Sequence, residues 1–261
     1  HLAPRPARLA EDDDKMSALT TLFALLLYFA AAVMIAGLAY KIFQYARTPA
    51  PLKIPTTPAP LSAAGAGLRV AREVLLFESL FKSNKWIWLF GAIFHAALAL
   101  ALIRHLRYFT EPVWTWVVVL QPFGKYAGYA LVIGLIGLWA RRLFQARVRY
   151  ISHASDHLIL LLLVAIAASG LAIRYVVRTD IVALKAFVLG LLYFDWQPLP
   201  GDPLLLIHLA LVAALMIVFP FSKLLHAPGV FFSPTRNQAD NPRERRHLSP
   251  RAALLGNHKD A

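Results

Sequence analysis

The chain contains no cysteine. This absence excludes disulfides, cysteine-ligated iron–sulfur clusters and covalently attached c-type haem. If the protein carries electrons, its metal has to be held mainly by histidine, of which the sequence has nine. Any redox chemistry is thereby narrowed to cofactors that are bound without a covalent link to the chain.

Charged residues are also scarce, at 16% of the chain, whereas 59% of the residues are hydrophobic. This balance is typical of a membrane protein. A helix that crosses a hydrocarbon core of about 30 Å needs about 20 apolar residues. Five segments meet this requirement, and none of them contains Asp or Glu. The sequence therefore predicts an all-α membrane protein, a bundle of five transmembrane helices at about 17–40, 86–103, 114–139, 157–177 and 204–222.

The basic residues are distributed unequally over the predicted loops. Of the 27 Lys and Arg residues, eighteen lie on the side that holds loop 41–85, the loop after the third span and the segment from Lys223 onward. Because cytoplasmic loops are enriched in Lys and Arg, the N-terminus is predicted outside and the C-terminus in the cytoplasm. This topology predicts a multi-pass protein of a bacterial cytoplasmic (inner) membrane. It also accounts for the net charge of +13 without nucleic acid.

The segments outside the five spans differ in composition. We predict a five-span membrane domain at 16–226, preceded by a tag-like or disordered extension that ends in an acidic run plus Lys. Prolines remove amide donors and disfavour helix, and short apolar stretches with a charge lie at interfaces rather than span. The predicted segments are the extension 1–15, an extended cytoplasmic linker 47–67, a surface helix or partner-docking element 68–85, an interfacial or re-entrant helix 181–194, and a basic cytoplasmic tail 227–261.

Four histidines stand near the ends of the second and fifth spans. Taken singly, each is more often an interface residue or a hydrogen-bonded side chain than a ligand. The two spans run antiparallel, however, so they place one imidazole each at two depths. Imidazoles that face each other across a bundle are what two six-coordinate haems require. We therefore predict two haems b, with His105 and His208 on the outer haem and His95 and His226 on the inner haem.

The spacing of these ligands differs between the two spans. At about 1.5 Å per residue, ten residues cover about 15 Å in the second span and eighteen cover about 27 Å in the fifth. Pro220 lies between the two ligands of the fifth span and can kink or end the helix. His226 is therefore predicted to lie in a distorted or terminal turn.

Several stretches resemble a known family. "RRLFQARVRYISHASDHLILLLLV" and "HLALVAALMIVFPFSKLLH" resemble the membrane gamma subunit of respiratory nitrate reductase. Within that superfamily, "SLFKSNKWIW" and "RHLRYFTEPVW" are most similar to DsrM, the dihaem cytochrome b of a sulfite-reductase-linked transmembrane complex. The resemblance covers all five spans and implies the same four axial ligands. It further implies a quinone as substrate, a cytoplasmic iron–sulfur subunit of heterodisulfide-reductase type, and a periplasmic multihaem c-type subunit.

A quinone site is predicted beside the outer haem. From the residues alone, Lys125 is typical of an interface lysine. The resemblance implies a quinol-binding role, because the family has such a lysine twenty residues after its outer-haem histidine. The predicted site comprises Lys125, His105 and Arg104, although the family often has glycine where Arg104 stands. His153 and His157 share the four-residue spacing of a metal site but lack an evident third ligand.

The functional hypothesis is a quinone-linked oxidoreductase subunit that passes electrons through two haems to a cytoplasmic iron–sulfur partner. A nitrate reductase gamma subunit is the alternative within the same class. A proton-relay transporter is the alternative from another class, and it would require wet histidines and acids within the spans. A haem-free membrane anchor would leave two matched histidine pairs without a purpose.

Overall fold

The computed structural model describes residues 7–49, 55 and 58–240, with side chains from Ala18 onward. Within these ranges the chain forms eleven α-helices and no β-strand. The predicted all-α class is thus confirmed. The helices are α1 (Ala7–Arg47), α2 (Ala63–Leu76), α3 (Glu78–Ser83), α4 (Lys85–His105), α5 (Thr115–Phe144), α6 (Ala146–Ile151), α7 (Ala154–Ala172), α8 (Ile181–Tyr193), α9 (Pro203–Val218), α10 (His226–Gly229) and α11 (Pro234–Asn237).

Five of the described helices are long and apolar enough to cross a membrane, which confirms the predicted number of spans. Each corresponds to a predicted segment, and most extend beyond it, because helices continue through the polar interface where the backbone still needs its internal hydrogen bonds. The spanning segments, including terminal 3₁₀ or π turns, are Ala18–Arg47, Lys85–Tyr108, Thr115–Phe144, Ala154–Val177 and Pro203–Phe221. The stretch predicted as interfacial or re-entrant is the 13-residue helix α8.

The long helices pack in a row in the order α4, α5, α7, α9, α1. Helix α4 therefore packs along α5, and α9 packs between α7 and α1, while the described parts of α4 and α9 share no extended packing surface. Helix α4 carries His95 and His105, and α9 carries His208, so these two helices are connected mainly through α5 and α7.

Helices α4 and α5 form the closest pair of the row. Their shared core contains Phe94, Ala97, Leu131 and Leu135, joined by one residue of α7. At Gly134 a side chain is excluded, since a Cβ there would lie 2.9 Å from both the backbone nitrogen and the Cα of Phe94. The absence of a side chain lets the two backbones approach at this point.

Polar residues at the helix starts define where the spans begin. The side chain of Asn84 accepts a hydrogen bond from the Ile87 amide at 3.1 Å, and Asp202 accepts one from the Leu204 amide at 3.0 Å. Such caps satisfy amides that have no partner within the helix. From the sequence, Ser155 or Asp156 is predicted to cap α7, and this prediction is wrong. The helix starts two to three residues earlier, with His153 at the N-cap and Asp156 Oδ2 accepting the His153 amide hydrogen at 3.1 Å.

The segment before the second span is more helical than predicted. The proposed linker 47–67 ends early, because Ser62 caps α2 by accepting from the Gly65 amide at 3.1 Å. The surface helix 68–85 is divided into α2 and α3 at Phe77, whose φ of 50° is left-handed and cannot continue an α-helix. At the start of α3, the hydrogen bond from the Lys82 ammonium lowers the pKa of the Glu78 carboxyl.

The described structure includes part of each predicted terminal segment. The backbone is helical from Ala7, within the extension 1–15 that is predicted to be tag-like or disordered. Part of the predicted tail 227–261 packs on α2 and the residues before it: the amide of Asp240 donates to the carbonyl of Pro60 at 2.7 Å, and the Arg236 guanidinium lies 3.5 Å from the Glu73 carboxylate. The remainder of that tail, from residue 241, lies outside the described residues.

Candidate functional site

The fifth spanning helix ends before it reaches its second histidine. Helix α9 stops at Val218, and the chain continues through two 3₁₀ turns, Phe219–Phe221 and Lys223–Leu225, before His226 opens α10. The predicted distorted turn is therefore confirmed. From His208 to Val218 the helix rises about 15 Å, the same as from His95 to His105 at about 1.5 Å per residue. The proline-containing turn absorbs the eight surplus residues, so the two pairs can match in depth.

All four histidines share one hydrogen-bonding pattern. In each ring Nδ1 is bonded to an oxygen, and in three rings that oxygen is a backbone carbonyl three or four residues earlier. Because a carbonyl oxygen only accepts, Nδ1 carries the proton in these rings. The bonds run from His95 Nδ1 to Gly91 O at 2.7 Å, from His105 Nδ1 to Ala101 O at 2.6 Å, from His226 Nδ1 to Lys223 O at 2.9 Å and from His208 Nδ1 to Ser169 Oγ at 2.9 Å.

The fourth ring reaches the same tautomer through a hydroxyl. Ser169 donates its own proton to the carbonyl of Ile166 at 3.0 Å, so its oxygen is left to accept from His208 Nδ1. The neighbouring Gly170 lies against the same ring, since a Cβ there would be 3.3 Å from His208 Cε1. Helix α7 thus holds the His208 imidazole from the side and fixes its tautomer.

Protonation at Nδ1 leaves the lone pair of Nε2 available as a metal ligand. A hydrogen bond from the second ring nitrogen to a carbonyl or hydroxyl is the usual way in which proteins orient a metal-binding imidazole and raise its basicity. His157 has the opposite arrangement, because its Nδ1 accepts from Trp139 Nε1 at 3.0 Å and Nε2 therefore carries the proton. No group of three or more potential metal-ligating side chains is found among the described residues. The spacing of His153 and His157 thus reflects a helix cap and a core hydrogen bond.

The inner pair has the separation that a shared metal needs. The ring centroids of His95 and His226 are 6.1 Å apart, with an interplanar angle of 88°. Two metal–imidazole bonds of about 2 Å, with about 1.2 Å from each nitrogen to its ring centre, require about 6.4 Å between centroids. The angle between two imidazole rings that share a metal can take any value, as long as each ring plane contains the line that joins the metal to the ligating nitrogen. The separation of His95 and His226 is therefore compatible with a shared haem iron, whereas His105 and His208 make no ring contact among the described side chains.

Arg104 and His105 of the predicted quinone site are adjacent at the C-terminal end of α4. Arg104 packs its methylene chain on Gly124 of α5, where a Cβ would be 3.0 Å from Arg104 Cδ. Lys125 is the next residue of α5, and its exposed ammonium lies 5.4 Å from the ring centroid of Tyr126. The backbone of Lys125 is thus near Arg104, while its ammonium lies against Tyr126.

Two further residues at this end were not predicted. Tyr175 donates its hydroxyl hydrogen to the Lys125 carbonyl at 3.2 Å, and it stands in a π-helical turn, Ile173–Val177, that extends α7. Such turns are frequent at functional sites, but no residue pattern predicts them. Ser169 did have a sequence signal, because a serine followed by glycine in the middle of an apolar span is a candidate for close, polar helix packing.

The region that contains this site matches a known family. The sequence profile of the nitrate reductase gamma subunit matches residues 78–240. That range holds all four histidines and Lys125. The chain belongs to the nitrate reductase gamma subunit family. The family assignment confirms the resemblance that the sequence suggested.

Relatives within the nitrate reductase gamma subunit family come from both archaea and bacteria. The chain is 36% identical over 268 residues to the Hdr-like menaquinol oxidoreductase cytochrome b-like subunit of Archaeoglobus fulgidus, covering 85% of this chain and 81% of the relative. Its identity to the protein of the same name in Archaeoglobus profundus is 35%, covering 90% and 84%. The respiratory nitrate reductase 1 gamma chain of Escherichia coli is 30% identical over 57% of this chain and 74% of its own length.

Proposed function

We propose that this chain is the membrane dihaem cytochrome b subunit of a quinone-linked oxidoreductase. The single observation that carries the proposal is the shared pattern of the four histidines: each has Nδ1 engaged by an oxygen, and together they stand on α4 and on the α9–α10 segment. The family and the names of the two archaeal relatives support it.

The chain's own part is to hold and orient the two cofactors. His95 and His226 would ligate the inner haem, and His105 and His208 the outer haem, each through Nε2. Haem iron accepts and releases one electron at a time. The carbonyls of Gly91, Ala101 and Lys223 keep three imidazoles in the ligating tautomer, and the hydroxyl that accepts from His208 does so for the fourth. Spacing the pairs by about two to three helical turns places a redox centre near each face of the bilayer.

The quinone would bind at the C-terminal end of α4. A quinone carbonyl needs a hydrogen-bond donor, and Lys125 offers an exposed ammonium on the stretch of α5 that packs against Arg104. The hydroxyl of Tyr175 holds the Lys125 backbone, which limits the movement of this turn. Oxidation of a quinol releases two electrons and two protons, so a pair of one-electron centres suits a two-electron substrate.

The unequal distribution of basic residues gives the proposed orientation of the chain in the membrane, and the orientation gives the face on which each partner would bind. With eighteen of its 27 Lys and Arg residues on the side of α2, α3 and the C-terminal segment, that face would be cytoplasmic and the N-terminus outside. A cytoplasmic iron–sulfur subunit of heterodisulfide-reductase type and a periplasmic c-type cytochrome would complete a DsrM-like complex of sulfur metabolism. The Escherichia coli relative supports nitrate reductase as a second candidate complex. Localisation to a bacterial cytoplasmic membrane stays a prediction, since the two Archaeoglobus relatives are archaeal.

A pyridine haemochrome assay on the purified chain tests the proposal. We expect two haems b per chain, which titrate as two separate one-electron steps. Protein purified from haem-replete cells without bound haem would overturn the proposal and favour a transporter or an anchor. The subunits that co-purify under mild detergent then separate the sulfur-linked complex from a nitrate reductase.

Replacing Lys125 with alanine tests the quinone site. We expect kcat/KM for menaquinol to fall about tenfold or more, because a hydrogen bond from a charged donor contributes about 1.5–3 kcal/mol. The haem content and both midpoint potentials stay unchanged. The matched control is Lys185→Ala on the same predicted face, since Lys185 is paired with Glu111. Equal menaquinol kinetics in the two variants would place the quinone elsewhere.

A further inference from the structure

Asp156 is a buried carboxylate outside the four-histidine site. Its side chain is 3% exposed, yet it is close to two cations: Lys223 Nζ lies 2.7 Å and Arg142 Nη1 3.5 Å from Oδ2. The same oxygen accepts from the amide of His153 at 3.1 Å. One atom therefore joins the end of α5, the start of α7 and the turn after α9. A buried carboxylate is tolerated only with such partners.

The turn held by this carboxylate is the one that presents His226. Lys223 begins the 3₁₀ turn Lys223–Leu225, and its backbone carbonyl accepts from His226 Nδ1 at 2.9 Å. Two contacts thus connect the Asp156 carboxylate to the inner imidazole. Short 3₁₀ turns have poor internal hydrogen bonds, so this segment needs support from its neighbours. The preceding turn, Phe219–Phe221, packs closely on α1, since a Cβ at Gly37 would lie 2.5 Å from Pro220 Cβ.

We propose that Asp156 is a positioning residue for the inner haem ligand. By binding the Lys223 ammonium, it fixes the turn whose carbonyl orients the His226 imidazole and holds its proton on Nδ1. The proposal rests on the assignment of His95 and His226 to one haem. The proposal also gives helix α7 a role at both haems: Asp156 would position a ligand of the inner haem, and Ser169 would orient a ligand of the outer haem.

A purely electrostatic role makes a different prediction from a positioning role. Asp156→Asn removes a negative charge near the inner haem and Lys223→Gln removes a positive one, so charge alone would shift the inner midpoint potential in opposite directions. Loss of positioning, by contrast, would change the orientation of the His226 imidazole in the same way whether Asp156 or Lys223 is replaced. We expect both variants to replace the native low-spin EPR line of the inner haem with the same altered line. The outer haem keeps its line, and the double variant changes no more than either single variant.

Hydrogen exchange supplies a readout that does not use the haem. In the purified protein, we expect amides in residues 219–229 to exchange about tenfold faster or more in both variants, because loss of a charge-assisted hydrogen bond frees the turn. Lys223→Arg preserves the contact and the native exchange. Glu111→Gln, which removes the carboxylate of the Lys185 pair far from this turn, is the matched control and leaves both readouts unchanged.

The possible failures are distinguishable. Opposite potential shifts with a native EPR line, or native exchange in 219–229, overturn the positioning role while the dihaem proposal stands. If the wild type lacks an inner haem, the dihaem proposal fails first. Should Asp156→Asn not fold, Lys223→Gln decides alone, because the Lys223 side chain is 62% exposed and its truncation leaves no cavity.

Discussion

Replacing His208 with leucine is expected to lower the haem b content from two per chain to one and to abolish electron transfer from menaquinol. Leucine fills the space between Ser169 and Gly170 but offers no nitrogen to a metal. On the proposed assignment, the outer haem would keep one protein ligand, His105, and would lose the bond that ties it to α9, so we expect it to dissociate during purification. The inner haem would keep His95 and His226. Haemochrome content, the optical spectrum and a redox titration measure the loss.

The matched control for this prediction is His157→Leu. His157 is also an imidazole within a spanning helix, but its Nδ1 accepts from Trp139 and its Nε2 carries the proton. We therefore expect both haems to remain and menaquinol oxidation to continue. Loss of both haems in the His208→Leu variant would argue against two separate histidine pairs. Loss of a haem in the His157→Leu variant would contradict the premise that only histidines with the proton on Nδ1 bind haem iron.

Replacing Gly134 with valine is expected to destabilise the bundle and release the inner haem. A Cβ at this position meets the backbone nitrogen and Cα of Phe94, each at 2.9 Å, and a helix backbone cannot rotate out of the way as a side chain can. Helix α4 has to move away from α5, and His95 is the next residue after Phe94. Overpacking of this kind typically costs about 1–3 kcal/mol. Thermal unfolding in detergent, followed by haem absorbance, measures the decrease in Tm.

Gly67→Val is the control for Gly134→Val. Gly67 is also helical, but a Cβ there meets nothing within 4 Å. The change in the free energy of unfolding then depends only on the helix propensities of glycine and valine, and we expect it to be within about 0.5 kcal/mol. An equal decrease in Tm for both variants would show that valine in a helix, rather than the α4–α5 contact, is responsible.

The break in the fifth span could be predicted from the sequence without knowledge of the fold. Pro220 predicted the break that the structure shows after Val218, because proline lacks an amide donor wherever it stands. The prediction that His226 lies in a distorted turn followed from the number of residues between His208 and His226, compared with the number between His95 and His105. The cap of α7 could not be predicted in this way, since His153, Ser155 and Asp156 all offer side chains that can cap, and only the path of the incoming chain selects His153.

The fold class, the number of spans and the helix break between His208 and His226 could be predicted from the sequence. These features depend on local properties: apolar length against bilayer thickness, helical rise and the missing amide of proline. Contacts between distant residues became known only from the folded chain, including the Ser169 hydroxyl on His208, 39 residues away, and the Lys223 ammonium on Asp156, 67 residues away. Such contacts depend on which helices are neighbours and how they are rotated, and uniformly apolar helices carry no periodic pattern that specifies either.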